Sequence, residues 1–157
     1  MYSKTVFQGA DCFKAKVNLE VQWANEQSIA AVERNGGVIT TAYFDIFSVK
    51  ALANPSQWFA AGNPVPRRMA PPQDCVGFYT SAENRGYLAD PRDVAEHRAV
   101  LGQKYGYEPP LVTDELLTES KDPRQVFYGM QAGWMVDLKD KVIYKPTDKD
   151  LKEFYQS

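Results

Sequence analysis

From Phe13 to Trp23 the chain alternates without a break. Phe13, Ala15, Val17, Leu19, Val21 and Trp23 are apolar, and Lys14, Lys16, Asn18, Glu20 and Gln22 between them are polar. A period of two puts one set on each face of a strand, so the stretch predicts one long, half-buried strand. At Asn25 the period changes. Its side-chain oxygen can accept from an orphan backbone N–H, which suits a helix start. Ile29 and Val32, among Ala30, Ala31 and Glu33, then give a short helix with a small apolar stripe. Gly36 is well placed for the left-handed residue that closes many helices. The β-branched run over 38–44 predicts a strand leaving at once. Strand, helix and strand in this order favour parallel pairing and an α/β layer arrangement.

Beyond residue 53 the pattern changes. ANPSQWFAAGNPVPRRMAPPQD holds five prolines and one glycine. Proline fixes φ and removes a donor, so the stretch predicts an extended strap. Trp58, Phe59 and Met69 within it need a surface to pack on. Asp90 and Pro91 predict a helix start, with a helical run over 91–105 and Gly106 as its stop. A short helix near 113–119 and a strand at VFYGM (126–130) follow. WMVDL and VIYKP, joined across Lys139 to Lys141, predict a β-hairpin with Trp134, Val136 and Leu138 on one face. Thr147 followed by Asp150 resembles a capping box and predicts a C-terminal helix through Leu151, Phe154 and Tyr155. The reading is an α/β domain over residues 1–53 and a mixed α+β extension over 54–157.

Composition narrows the function. The chain has 157 residues, enough for one ordinary domain or a small domain plus an extension. A chain of this length buries roughly 70% of its unfolded surface and needs no covalent staple. There are 18 basic and 20 acidic residues, a net charge of −2, which excludes the strong positive field of a free-standing nucleic-acid binder. Aromatic residues make up 13%, a share suited to cores and interfaces. Cys12 and Cys75 show no metal-type spacing and read as reduced thiols. No apolar run reaches the ~18 residues of a membrane span, and no secretory signal or transit peptide is visible.

Catalytic chemistry finds little support. The one histidine, His97, sits in a polar helix and reads as a solvated side chain. The pairs Asp114–Glu115 and Asp148–Asp150 fall at helix starts, where negative charge is favoured anyway. Gly36–Gly37 and NRGY (84–87) match no phosphate-binding glycine pattern. A hydrolase using Cys75 or His97 is therefore set aside. The basic features are modest: Lys14 and Lys16 on one strand face, Arg67 and Arg68 in the strap, and Arg85 in a polar turn. Arginine near aromatics suits RNA through phosphate pairing and stacking. The residues describe an interaction or assembly protein with no catalytic constellation.

The segment FQGADCFKAKVNLEVQWANEQSIAAVERNGGVITTAYFD resembles the C-terminal domain of the large-subunit ribosomal protein fifteen family, whose helix likewise ends on a double glycine before a strand; here it stands as AVERNGG. NPVPRRMAPP, ENRGYLADP, KYGYEPP, KDPRQVFYG and KPTDKDLKEFYQS resemble the family's animal mitochondrial branch, so the likeness covers nearly the whole chain. The resemblance implies the family's small strand–helix–strand fold and a structural role in the mitochondrial large ribosomal subunit. The implied partners are ribosomal RNA and neighbouring mitochondrial ribosomal proteins, in the matrix, with no membrane, cofactor, metal or small-molecule substrate. Family members carry a basic, glycine-rich N-terminal arm that threads into RNA. The sequence starts at MYSKTVFQGAD without that arm, which accounts for its acidic balance. Lys14, Lys16, Arg67 and Arg68 are the expected RNA contacts, and Trp58 and Phe59 the expected protein-interface anchors. The alternative is a protein–protein adaptor that touches no RNA.

Overall fold

A computed structural model describes residues 9–109, 119 and 122–157. The expected short helix near 113–119 lies outside the described residues, apart from Glu119. The architecture is mixed α/β: helices with two small two-stranded sheets among the described residues. The chain forms two compact units, each made of two stretches, Met1–Ala42 with Pro72–Lys121 and Tyr43–Pro71 with Asp122–Ser157. The units part after Ala42, Pro71 and Lys121, whereas the sequence expectation is a single boundary after residue 53.

The first unit is built on the expected strand–helix–strand. Strand β1 (Asn18–Val21) and strand β2 (Val38–Thr41) pair in parallel, from Asn18 opposite Val38 to Val21 opposite Thr41. Helix α1 (Glu26–Arg34) joins them. Asn25 caps it, accepting from the Ser28 N–H at 2.8 Å. The helix ends as expected, with Gly36 at φ 77°. The second glycine has a different task. A Cβ on Gly37 would stand 2.2 Å from the Val17 carbonyl oxygen, so only glycine lets β2 start against the segment entering β1.

The expected strand from Phe13 to Trp23 is shortened to β1. Its alternation persists locally, with Val17, Leu19 and Val21 half-buried and Asn18, Glu20 and Gln22 exposed. At the ends it fails: Ala15 is exposed and Trp23 is 66% exposed. The partner is the reason, since β2 spans only four residues and can pair no more. On the other side of β2, Thr41 forms a parallel bridge to Gly86, with Thr41 N–H to the Arg85 carbonyl and Tyr87 N–H to the Thr41 carbonyl, both 2.9 Å. Gly86 approaches so closely that a Cβ there would lie 2.1 Å from the Tyr79 oxygen. Helix α5 (Pro91–Tyr105) runs as expected from the Asp90 cap to Gly106 at φ 76°. Ala24, Ile29, Ala30, Val32, Ile39 and Leu101 form the core, with Phe13, Val17, Leu19, Val21 and Tyr107 packed against it.

The second unit contains helix α2 (Ile46–Ala53), helix α3 (Pro55–Ala60), the hairpin of β3 (Met135–Asp137) and β4 (Val142–Tyr144), and the terminal helix α6 (Lys149–Gln156). The first unit also holds a short helix α4 (Val76–Thr80). Asp45 caps α2, accepting from Phe47 and Ser48 N–H and, at 2.5 Å, from the Ser48 hydroxyl. Burial alone would raise the Asp45 carboxyl, but these bonds and one from the Met69 N–H hold it below its ordinary range.

Several expectations are corrected here. The proline-rich stretch is not extended from its start: Asn54 caps α3 and Pro55 takes its first position, where a missing N–H costs nothing. VFYGM is a run of turns, not a strand, with Gly129 at φ 75°. The hairpin forms as an antiparallel pair, Met135 opposite Tyr144, but Leu138 is exposed while Trp134 and Val136 are half-buried. The cap of α6 is Asp148, accepting from the Asp150 N–H at 3.1 Å, not Thr147.

Candidate nucleic-acid interface

Lys14 and Lys16 lie on the segment that leads into β1, and both are exposed. That segment is anchored by the end of α1. Arg34 donates to the Ala10 and Phe13 carbonyls at 3.0 and 3.2 Å, and the Asn35 amide donates to the Phe13 carbonyl at 2.9 Å. The stem of Lys16 runs beside Gly36, its Cδ 3.9 Å from where a Cβ would stand. The two lysines thus present cationic heads from a backbone held by the turn that closes α1.

Arg67 and Arg68 stand in the other unit and are used differently. Arg68 is 6% exposed, and its guanidinium lies over the Phe44 ring at 4.3 Å. Arg67 is half-buried, donates to the Phe154 carbonyl at 2.6 Å and sits over that ring at 4.7 Å. Trp58 is half-buried, its Nε1 donating to the Pro64 carbonyl at 2.9 Å. Phe59 is buried against Phe127, with ring centroids 5.6 Å apart. Among the described residues of this unit the large exposed apolar side chains are elsewhere, for example Phe47, Tyr128, Ile143 and Tyr144.

Sequence reasoning missed a buried ionic cluster in the first unit. Glu33, near the end of α1, is 1% exposed. Arg85, which reads as a solvated turn side chain, is 3% exposed and closes a two-pronged pair with it, Nε to Oε1 at 2.7 Å and Nη2 to Oε2 at 3.1 Å. Arg85 Nη1 also donates to the Ala82 carbonyl at 3.0 Å. Its backbone sits at φ 57°, a left-handed conformation that costs a non-glycine residue roughly 1 kcal/mol. Arg98 of α5 adds a second guanidinium, its Nε 3.2 Å from Glu33 Oε1. Burial pushes the Arg98 pKa down; Glu33 opposes that and Arg85 adds to it. Tyr107 donates to Glu33 Oε2 at 3.4 Å, and burial, with Glu33 beside it, pushes its hydroxyl up to about 12. The only trace of the cluster in the sequence was an acidic residue at the last buried turn of a helix ending on a double glycine.

His97 is exposed on α5, and Cys12 is exposed while Cys75 is half-buried. Among the described residues no group of His, Cys, Asp and Glu could hold a metal ion, and no helix is long and apolar enough to cross a membrane. Lys14 and Lys16 are exposed on the first unit, and the second unit exposes the larger number of big apolar side chains.

No protein-family model matches the chain. It is 49% identical over 156 residues to the large ribosomal subunit protein uL15m of Danio rerio, covering 97% of the chain and 53% of that relative. It is 32% identical over 103 residues to the protein of the same name in Schizosaccharomyces pombe, covering 65% of the chain and 38% of that relative. The class is therefore that of large-subunit ribosomal proteins. Within it, the chain belongs to the mitochondrial uL15 family. It spans about half the length of the Danio rerio relative.

Proposed function

We propose that the protein is a structural constituent of the mitochondrial large ribosomal subunit, located on the ribosome in the matrix, non-enzymatic, and in contact with ribosomal RNA and neighbouring ribosomal proteins. The observation that carries this is the 49% identity to a large ribosomal subunit protein across 97% of the chain. On this reading the strand–helix–strand of the first unit is the family's ribosomal-protein domain.

Lys14 and Lys16 are the leading phosphate contacts, because they are exposed on an anchored backbone. Such contacts position a protein on RNA without reading its bases. Arg67 contributes its outer face, since a guanidinium has five donors and, among the described residues, only Nη1 is engaged, by the Phe154 carbonyl at 2.6 Å and the Ser157 hydroxyl at 3.5 Å. Arg68, 6% exposed over the Phe44 ring, is the weakest of the four candidates. Protein neighbours are met mainly by the second unit, through half-buried Trp58 and exposed side chains such as Phe47, Tyr128 and Tyr144, while Phe59 is held inside. The acidic net charge is what favours the adaptor reading, without RNA.

A salt titration of binding to mitochondrial large-subunit RNA separates the two readings. Each neutralised phosphate contributes about 0.9 to the slope of log affinity on log salt, so Lys14→Gln with Lys16→Gln should lower that slope by nearly 2. A salt-independent affinity, or none, would leave the adaptor as the better account.

A further inference from the structure

We propose that the notch at the start of α5 receives a single RNA backbone phosphate, with Arg98 as the group that meets it. This rests on the ribosomal reading above. The notch lies wholly within the first unit and is lined by Thr40, Gly86, Tyr87, Pro91, Arg98 and Glu119, among others.

The charge count inside the cluster is the first argument. Glu33 supplies one negative charge, and both of its oxygens are taken by Arg85 at 2.7 and 3.1 Å. Arg98 therefore brings a second positive charge to a carboxylate already engaged. It is 7% exposed, and its Nη2 is buried with no hydrogen-bond partner among the described residues. Leaving a buried donor unmade costs about 1–3 kcal/mol, and more for a charged one. Arg98 also lines the notch, so an anion seated there lies beside a guanidinium that is not fully paired within the described residues.

Size and polarity select the occupant. The cavity is about 40 Å³. One water needs some 10–15 Å³ by the same measure, so the space holds one small oxyanion. Pro91 and Val94, from the first turn of α5, line it as well, and the positive end of a helix favours an anion. Asp90 already spends its carboxylate on the Arg92 N–H at 2.8 Å. Guanidinium and phosphate match in both charge and fork geometry. Glu119 is exposed at the rim, where its carboxylate competes with an incoming phosphate.

The test uses the full chain and two probes. Inorganic phosphate is titrated at constant ionic strength, with acetate in parallel, while the Arg98 Nε–H and the Gly86 and Tyr87 amides are followed by NMR. Saturable shifts with phosphate are expected. Thr40→Glu, which puts a carboxylate at the lip and leaves Glu33, Arg85 and Arg98 intact, should abolish them while the amide spectrum remains that of the folded chain. Glu119→Gln should tighten phosphate roughly two- to five-fold, the size of one exposed charge interaction. The second probe is mitochondrial large-subunit RNA, where Thr40→Glu should lower the salt slope by about 1. No saturable phosphate response overturns the proposal. Saturation by acetate alone makes the notch a site for a protein carboxylate and also overturns it. A phosphate response with an unchanged RNA slope assigns the notch to free phosphate instead of RNA. Wild-type protein that binds phosphate but no RNA refutes both this assignment and the ribosomal RNA contact, whereas RNA binding without a phosphate response refutes this assignment alone.

Discussion

The two units solve the same packing problem with unequal means. In the first, α1 is buried from Ser28 to Glu33 and touches a sheet and a second helix, so one core runs through the unit. In the second, the buried apolar side chains are few, chiefly Ala51, Phe59 and Val65, and α6 has no buried residue. Its elements are fastened by polar ties instead. Val65 exchanges backbone bonds with Gly133 and Trp134 at 2.9 and 2.8 Å, and Arg124 reaches the Ser157 carbonyl at 2.5 Å. Apolar surface is left over: Phe47 is 64% exposed, Tyr128 77% and Tyr144 57%. Large apolar side chains left exposed in such number are available to partners. The first unit closes one apolar core around α1, while the second leaves most of its larger apolar side chains exposed.

Glu33→Ala should break the first unit and so test this contrast most severely. It strands two buried guanidiniums, a loss of about 3–5 kcal/mol for a buried pair deprived of one partner. Arg67→Ala in the second unit, measured by the same urea titration, should cost only about 1 kcal/mol, the scale of a partly exposed contact. Equal costs would erase the distinction. Next in size is Gly36→Val, expected to lower stability by roughly 1–2 kcal/mol because φ 77° suits no β-branched residue. A melting temperature unchanged from wild type would contradict it.

Tyr107 gives a pH window to the first unit alone. Its folded value is about 12 against an ordinary 10.0, so the folded state holds the proton more tightly. This contribution is complete below the unfolded value and is lost as pH rises from about 10 towards 12. Stability should fall across that window, and Tyr107→Phe should flatten the fall. A variant whose alkaline profile overlays the wild type would remove the cluster from the account. The smallest effect on folding is expected for Ile143→Ser with Tyr144→Ser, within about 0.5 kcal/mol for each exposed site. Incorporation of that double variant into large subunits in mitochondria should nevertheless drop. Undiminished incorporation would mean that this apolar surface has no partner.

Much of the local structure was legible along the chain. The caps at Asn25 and Asp90, the stops at Gly36 and Gly106, the parallel unit and the hairpin all follow from residues a few positions apart. A cap bonds two or three residues ahead, and a glycine's freedom is its own, so neighbours suffice to predict them. The lengths of strands were less legible, because a strand lasts only as long as its partner. β1 stops where β2 runs out, and VFYGM, with suitable residues, finds no partner strand among the described residues.

The candidate site shows the same division. Gly36 as the turn and the likeness to a ribosomal family could be read from the chain alone, whereas Lys14 and Lys16, expected on one strand face, lie in the segment before β1. Only the tertiary structure decided that Phe59 is buried, that Arg68 lies over Phe44, and that Glu33 faces inward to meet Arg85 from 52 positions away. Charge pairing over that distance leaves no periodic mark. Its partners are neighbours only after α1, β2 and the turn at 81–87 have packed, and a carboxylate becomes costly to leave unpaired only once water has gone.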